Sequence, residues 1–256
     1  MARPMCIGHR GAGGHAPENT LASFRRGFEL GAEYVECDFH LSADGVPVII
    51  HDETLGRTTN GEGEVRQKTV AELRRLDAGG WFGAKFKGER IPLLRELFEL
   101  AEGRGGIVVE AKPPSSERVE TPDILARLVK EFARARVIVI SVDGFFLRQF
   151  KALCAEVATG FLSNLLEGPD SAVEAAKKAF CEILSVNYKK WEDRLADVAQ
   201  AAGLKTAVWT VNDPKDIKSF LEKGVFSITS DFPERVVDEM RELGHGRQTH
   251  PEVTDR

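Results

Sequence analysis

No apolar run in this chain of 256 residues approaches the roughly 20 needed to span a bilayer, so no membrane span is expected. Basic residues do not predominate. With 35 Lys and Arg against 40 Asp and Glu, a net charge of -5 excludes a nucleic-acid binder held by electrostatics. Cysteine is sparse, and Cys6, Cys37, Cys154 and Cys181 lie far apart in mostly apolar surroundings. That spacing fits neither a zinc site nor a disulfide framework and predicts reduced core thiols. The opening residues Met1 to Met5 enter a strand almost at once, leaving no room for a signal peptide. These absences leave a cytoplasmic enzyme or binding protein as the expectation, with the oligomeric state open. Hydrophobic and charged contents of 42% and 29% are ordinary for a globular chain long enough to bury a sizeable core. The length suits one large α/β barrel or two small domains.

What is present is organised around Tyr34 to Asp52. Two apolar runs flank Ser42-Ala43-Asp44-Gly45, a turn signal, and predict a β-hairpin. Glu36 and Asp38 have the same strand parity, so their side chains leave one face. Folding back near Asp44 brings His51 about level with Asp38. Like charges about 4 Å apart repel by roughly 4 kcal/mol at an effective dielectric near 20. A carboxylate pair among apolar residues therefore needs a proton or a cation. The competing reading is a solvated acidic face on an edge strand.

Along the chain, strand Met5 to Gly8 leads into His9-Arg10-Gly11-Ala12-Gly13-Gly14 and then a helix bearing Leu21, Phe24 and Phe28, with Asn19 or Thr20 as its cap. After the hairpin the alternation lapses. Residues 54–105 read as an inserted subdomain, with a capping box at Thr69 to Glu72 and aromatic anchors at Trp81 and Phe82. From Ile107 onward strand and helix alternate to Gly244, beginning with a helix capped at Thr121-Pro122. The hairpin's second arm is antiparallel, which leaves eight strands that each head towards a helix. Eight such units favour a TIM (β/α)8 barrel over a doubly wound sheet, as one domain over 1–245 with a disordered tail at 246–256.

In such a barrel the C-terminal strand ends converge on one face. They carry His9, Arg10, Glu36, Asp38, Glu110, Lys112, Ser141, Trp209 and Asp231. Glu36, Asp38 and Glu110 form an all-oxygen set suited to Mg²⁺, Ca²⁺ or Mn²⁺ rather than zinc. His9 and His51 titrate near neutrality, so one can give a proton while the other takes one. Arg10 and Lys112 add fixed positive charge. Together these groups describe a site for a phosphodiester, where catalysis needs charge neutralisation and two proton transfers. His15, His40 and Glu18 read as structural. Trp209 reads as cavity wall or barrel core, and Lys112 as a ligand contact or a partner of Glu110.

His9-Arg10-Gly11, Pro17-Glu18-Asn19-Thr20, Glu36-x-Asp38, Asp44-Gly45-x-Pro47-Val48, His51-Asp52, Arg57-Thr58-Thr59, Glu110-x-Lys112, Trp209-Thr210-Val211-Asn212 and Thr229-x-Asp231-x-Pro233 together resemble the glycerophosphodiester phosphodiesterase family. The resemblance runs from about residue 5 to 240. It implies a TIM barrel with an insertion, a divalent cation on Glu36, Asp38 and Glu110, and an acid/base pair in His9 and His51. It also implies phosphate contact from Arg10 and a site lined by Trp209. The implied reaction takes a small-molecule glycerophosphodiester to glycerol 3-phosphate and an alcohol. Ile107-Val108-Val109, where the family often carries an Asn, and Ser141-Val142-Asp143, where Ser-Ser-Phe is more usual, bear on substrate preference. Two alternatives stand beside this one. A lysophospholipase D or sphingomyelinase-D-like activity would use an apolar ramp at Trp81, Phe82 and Phe86. A catalytically silent barrel would bind phosphodiesters without cleaving them.

Overall fold

Alternate residues of a strand face opposite ways, and here the two faces differ in chemistry. In the second strand Val35, Cys37 and Phe39 join the main apolar cluster, while Tyr34 packs with Ile7, Val108, Ile140 and Leu162 in a separate, smaller one. The larger cluster is the layer between sheet and helices, and the smaller one fills the barrel interior. Glu36 and Asp38 share the parity of Tyr34. They point inward.

The computed structural model describes residues 3–244, so the tail at 246–256 lies outside the described residues. The first elements are β1 (Met5–Gly8), α1 (Leu21–Glu29), β2 (Tyr34–Leu41), β3 (Pro47–Ile49), α2 (Val70–Leu73) and α3 (Leu94–Ala101). Next come β4 (Gly106–Ala111), α4 (Thr121–Glu131), β5 (Val137–Ser141), α5 (Gly144–Leu153), β6 (Ala158–Ser163) and α6 (Gly168–Lys178). The chain closes with β7 (Ile183–Asn187), α7 (Arg194–Ala201), β8 (Lys205–Trp209), α8 (Pro214–Glu222), β9 (Ser227–Ser230) and α9 (Pro233–Glu242). Strands β1, β2 and β4 to β9 pair in parallel around a ring, which β1 closes by bonding both β2 and β9. The eight-stranded TIM barrel is thus as expected. Strand β3 lies antiparallel on β2, with Phe39 opposite Ile49. Among the described residues no helix is long and apolar enough to cross a membrane.

Three local expectations change. The segment 54–105 divides: Leu55, Val65, Leu73, Ala78 and Ile91 build a small core with Val48 and Ile50, whereas Leu94, Leu97 and Phe98 of α3 join the main core. Helix α3 is therefore the barrel helix between β2 and β4, because its apolar face meets the sheet. Trp81 is not an anchor. It is 43% exposed and stacks edge-on with Phe82, which meets Phe86 in the same way. Thr121 does not cap α4 either, since its hydroxyl donates to the carbonyl of Ser115 and Glu120 occupies the cap position without a side-chain bond. At α1 the expected Thr20 cap is present, accepting from the Ser23 amide.

Candidate active site

Strand register puts Asp38 beside Glu110 on neighbouring staves, with Glu36 one inward position below Asp38. Oxygens of the three carboxylates lie within 4.8 Å of one another. All three are largely buried. Burial pushes the Glu36 carboxyl well up, and the charges of Asp38 and Glu110 push it further, against Arg10. Burial and Asp38 raise Glu110 to about 7, although Lys112 Nζ lies 2.8 Å from its Oε1. Asp38 goes the other way. Burial would raise it, but Arg10, His51 and Lys112 together hold it at about 2. Three clustered acids, two of which resist ionisation, form a donor set short of positive charge. It fits a hard divalent cation.

The cationic groups come from the neighbouring strand ends. Arg10 adopts φ 50°, donates its amide to Glu36 Oε2 at 2.9 Å and sets Nε 3.3 Å from Asp38 Oδ2. Its Nη1 donates to Glu18 Oε1 at 2.5 Å. Lys112, one residue past β4, keeps its charge because Glu110 and Asp38 outweigh burial, which alone would lower its pKa. Asn19 holds Asp38, donating from Nδ2 to Oδ2 at 2.8 Å.

Both candidate histidines are held by an aspartate at the same ring position. His9 Nδ1 is 2.7 Å from Asp231 Oδ1, and His51 Nδ1 is 2.6 Å from Asp52 Oδ1. In each ring this directs Nε2 to the remaining contacts, and His51 Nε2 lies 3.3 Å from Lys112 Nζ. Burial lowers the His51 pKa, with Asp38 opposing, so the neutral ring is favoured, its Nε2 lone pair facing the Lys112 ammonium. His9, Arg10, Glu36, His51, Glu110, Lys112 and Trp209 line one cavity of about 220 Å³, whose far wall is Ile140, Val142 and Leu162. The buried indole Nε1 of Trp209 has no hydrogen-bond partner among the described residues.

The hairpin register differs slightly from expectation. The Ile50 amide bonds the Asp38 carbonyl, so His51 stands one residue beyond Asp38. His40 keeps a structural role, with its Nε2 3.1 Å from the His51 carbonyl, as does His15, 2.9 Å from Glu234. Ser141 donates to the Ala111 carbonyl and is spent on the scaffold. None of Trp81, Phe82 and Phe86 lines the cavity. Sequence reasoning put Asp231 at a converging strand end and Asp52, Asn19 and Asn212 in motifs, but gave none of them a positioning role. Asp52 follows His51 directly, which was a usable signal. Asn212 donates to Asp231 Oδ2 at 2.7 Å, a partnership across 19 residues that its motif does not show.

The model of the glycerophosphoryl diester phosphodiesterase family matches residues 9–235. A glycerophosphodiester phosphodiesterase of Caldanaerobacter subterraneus subsp. tengcongensis is 37% identical over 247 residues, covering 94% of this chain and 100% of the relative. A putative one from Bacillus subtilis is 32% identical, over 90% of this chain and 96% of its own. Among solved structures, an Oleispira antarctica phosphodiesterase in complex with the product sn-glycerol-3-phosphate superposes with a TM-score of 0.88 at 33% identity, covering 93% of this chain and 97% of the other.

Proposed function

The chain belongs to the glycerophosphoryl diester phosphodiesterase family, and from that membership we propose that its cavity hydrolyses glycerophosphodiesters to glycerol 3-phosphate and an alcohol. One observation carries the reading: two imidazoles, each with Nδ1 on an aspartate, open into a single cavity beside three carboxylates and two cations. Glu36, Asp38 and Glu110 would hold a divalent cation, Mg²⁺ or Ca²⁺, which would supply positive charge for the phosphoryl oxygens. Arg10 and Lys112 hold the phosphate, Arg10 being preorganised by Glu18 and by its own backbone bond to Glu36. Trp209 offers its unpaired Nε1–H to a ligand oxygen. His51 Nε2 takes the proton from the attacking hydroxyl, and Asp52 stabilises the imidazolium that results. His9 Nε2 gives a proton to the departing alkoxide, with Asp231 fixing the ring. Attack by the glycerol 2-hydroxyl yields a cyclic phosphate that water then opens, the two histidines exchanging roles. Four free, buried cysteines support a cytoplasmic setting.

Phosphorus NMR on glycerophosphocholine and its ethanolamine and inositol counterparts, with each metal in turn, tests this. Glycerol 3-phosphate is the expected product, preceded by a transient cyclic phosphate. His9→Ala and His51→Ala should each lower the rate by on the order of 10² to 10⁴. Tight binding of glycerol 3-phosphate with no alcohol released from any substrate would instead establish a silent binding barrel.

A further inference from the structure

The cavity carries two kinds of polar group, on different staves. Its charged groups stand on β2 and β4 and just past β1, β3 and β4, whereas β7, β8 and β9 supply only uncharged ones, Ser185, Trp209 and Thr229. Strand parity aims all three inward. Ser185 and Trp209 lie two residues beyond Ile183 and Ala207 of the barrel-interior cluster, and Thr229 is the register partner of Ile7 from the same cluster. Each offers an O–H or N–H to the cavity. The Trp209 Nε1–H is buried without a partner among the described residues, and a buried donor calls for an acceptor from a ligand or from water. Asn164, just past β6, adds an amide to the same lining.

Where this wall stands relative to the histidines gives it a role. Strand β9 pairs with β1, which leads into His9, and Asp231, two residues after Thr229, holds the His9 ring. Strands β8 and β7 follow β9 around the barrel. In the hydrolytic reading above, His9 protonates the departing alkoxide while Arg10 and Lys112 hold the phosphate on the opposite side. The leaving alcohol therefore starts beside β9 and extends along β8 and β7. It meets no free carboxylate there, since the acids lining the cavity are Glu36 and Glu110, both of the cation site. Trp209 is the one aromatic ring in the lining besides the two histidines, short of the cage of rings that recognises a quaternary ammonium. Arg10 and Lys112 also line the cavity, and their charge repels another cation.

We propose that the wall made by Ser185, Trp209 and Thr229 is a subsite for a neutral polyol, so that the preferred substrates are glycerophosphodiesters whose leaving alcohol bears several hydroxyls. Glycerol and cyclitol esters belong to that class, and choline and ethanolamine esters do not. The proposal rests on the hydrolytic reading above and narrows its substrate class. The donor inventory matches: a polyol hydroxyl accepts from the Trp209 N–H and both gives and takes hydrogen bonds with Ser185, Thr229 and Asn164. The bond that breaks joins phosphorus to the polyol oxygen, and the polyol leaves with the proton from His9. The bond that forms joins phosphorus to the glycerol hydroxyl, which has given its proton to His51, and water then opens the cyclic phosphate.

The test uses the full chain with its metal and four substrates: glycerophosphoglycerol, glycerophosphoinositol, glycerophosphocholine and glycerophosphopropanol. The last is neutral but has no hydroxyl on its leaving group, and so separates hydrogen bonding from charge. The two polyol esters are expected to exceed the choline and propanol esters in kcat/KM on the order of tenfold or more. Ser185→Ala and Trp209→Phe, which remove one donor each and keep most of the side-chain bulk, should each cut that preference by roughly fivefold. Choline or propanol esters cleaved as well as the polyol esters overturn the proposal and spare the hydrolytic reading. A polyol preference that both substitutions leave intact also overturns it, because the selecting groups then lie elsewhere. Failure to cleave any of the four overturns both readings.

Discussion

Arg57 lies in the inserted segment, away from every strand, yet its guanidinium joins two halves of the site. Its Nε and Nη2 donate to Asp52 at 2.5 and 3.0 Å, and Nη1 and Nη2 donate to Glu18 at 2.8 Å each. Asp52 orients His51, and Glu18 holds Arg10. One planar fork therefore braces both the His51 imidazole and the Arg10 guanidinium, through Asp52 and Glu18. Misplacing such groups by about 1 Å can cost on the order of 10²-fold, so Arg57→Ala should lower kcat by roughly tenfold to a hundredfold with an unchanged circular dichroism spectrum. Lysine should restore little, because an ammonium cannot span two carboxylates bidentately. Full activity in Arg57→Ala would show that Asp52 and Glu18 hold their places unaided.

At the scale of elements, helix α1 clamps the loop that carries His9 and Arg10. The Ser23 hydroxyl donates to the Arg10 carbonyl at 2.7 Å and accepts from the Ala12 amide at 2.9 Å. Such close approach requires Gly27, where a Cβ would fall 2.7 Å from the Gly11 carbonyl oxygen and 2.9 Å from Val35 Cγ1. Alanine gains about 1 kcal/mol in helix propensity. The clash with backbone outweighs it, and Gly27→Ala should lose about 1–3 kcal/mol of stability, read as a lower urea midpoint at constant m value. Because Gly11 adjoins Arg10, kcat should fall in the same variant. A more stable Gly27→Ala protein would mean that α1 can draw back without cost.

For the whole molecule, the buried acids couple folding to metal and pH. Glu110 ionises at about 7 in the folded, metal-free chain and near 4.5 when unfolded. Between those values the folded state binds the extra proton, so this group's contribution to stability falls as pH rises. Glu36 acts in the same direction. His40 and His51, held low by burial, oppose it near pH 6. A cation on the carboxylates displaces their protons, so the rise in Tm given by a divalent metal over chelator should grow from about pH 4.5 to about 7 and then level off. A metal-induced Tm shift that stays flat with pH would count against the acidic trio as the binding site.

What was legible in the sequence was local. Two-residue alternation put Glu36 and Asp38 on one face of β2, the strand-end position added Glu110, and the repeated strand–helix rhythm specified a barrel. A strand's side-chain period and a helix's apolar stripe are properties of a few consecutive residues, so they survive without coordinates. The tertiary structure decided the partnerships. His9 meets Asp231 across 222 residues only because β9 returns to pair with β1, and Arg57 reaches Glu18 across 39 only because the insertion folds over the strand ends. The same holds for α3, assigned to the barrel by what it packs against. Barrel closure sets which strand ends become neighbours, and no local period encodes it.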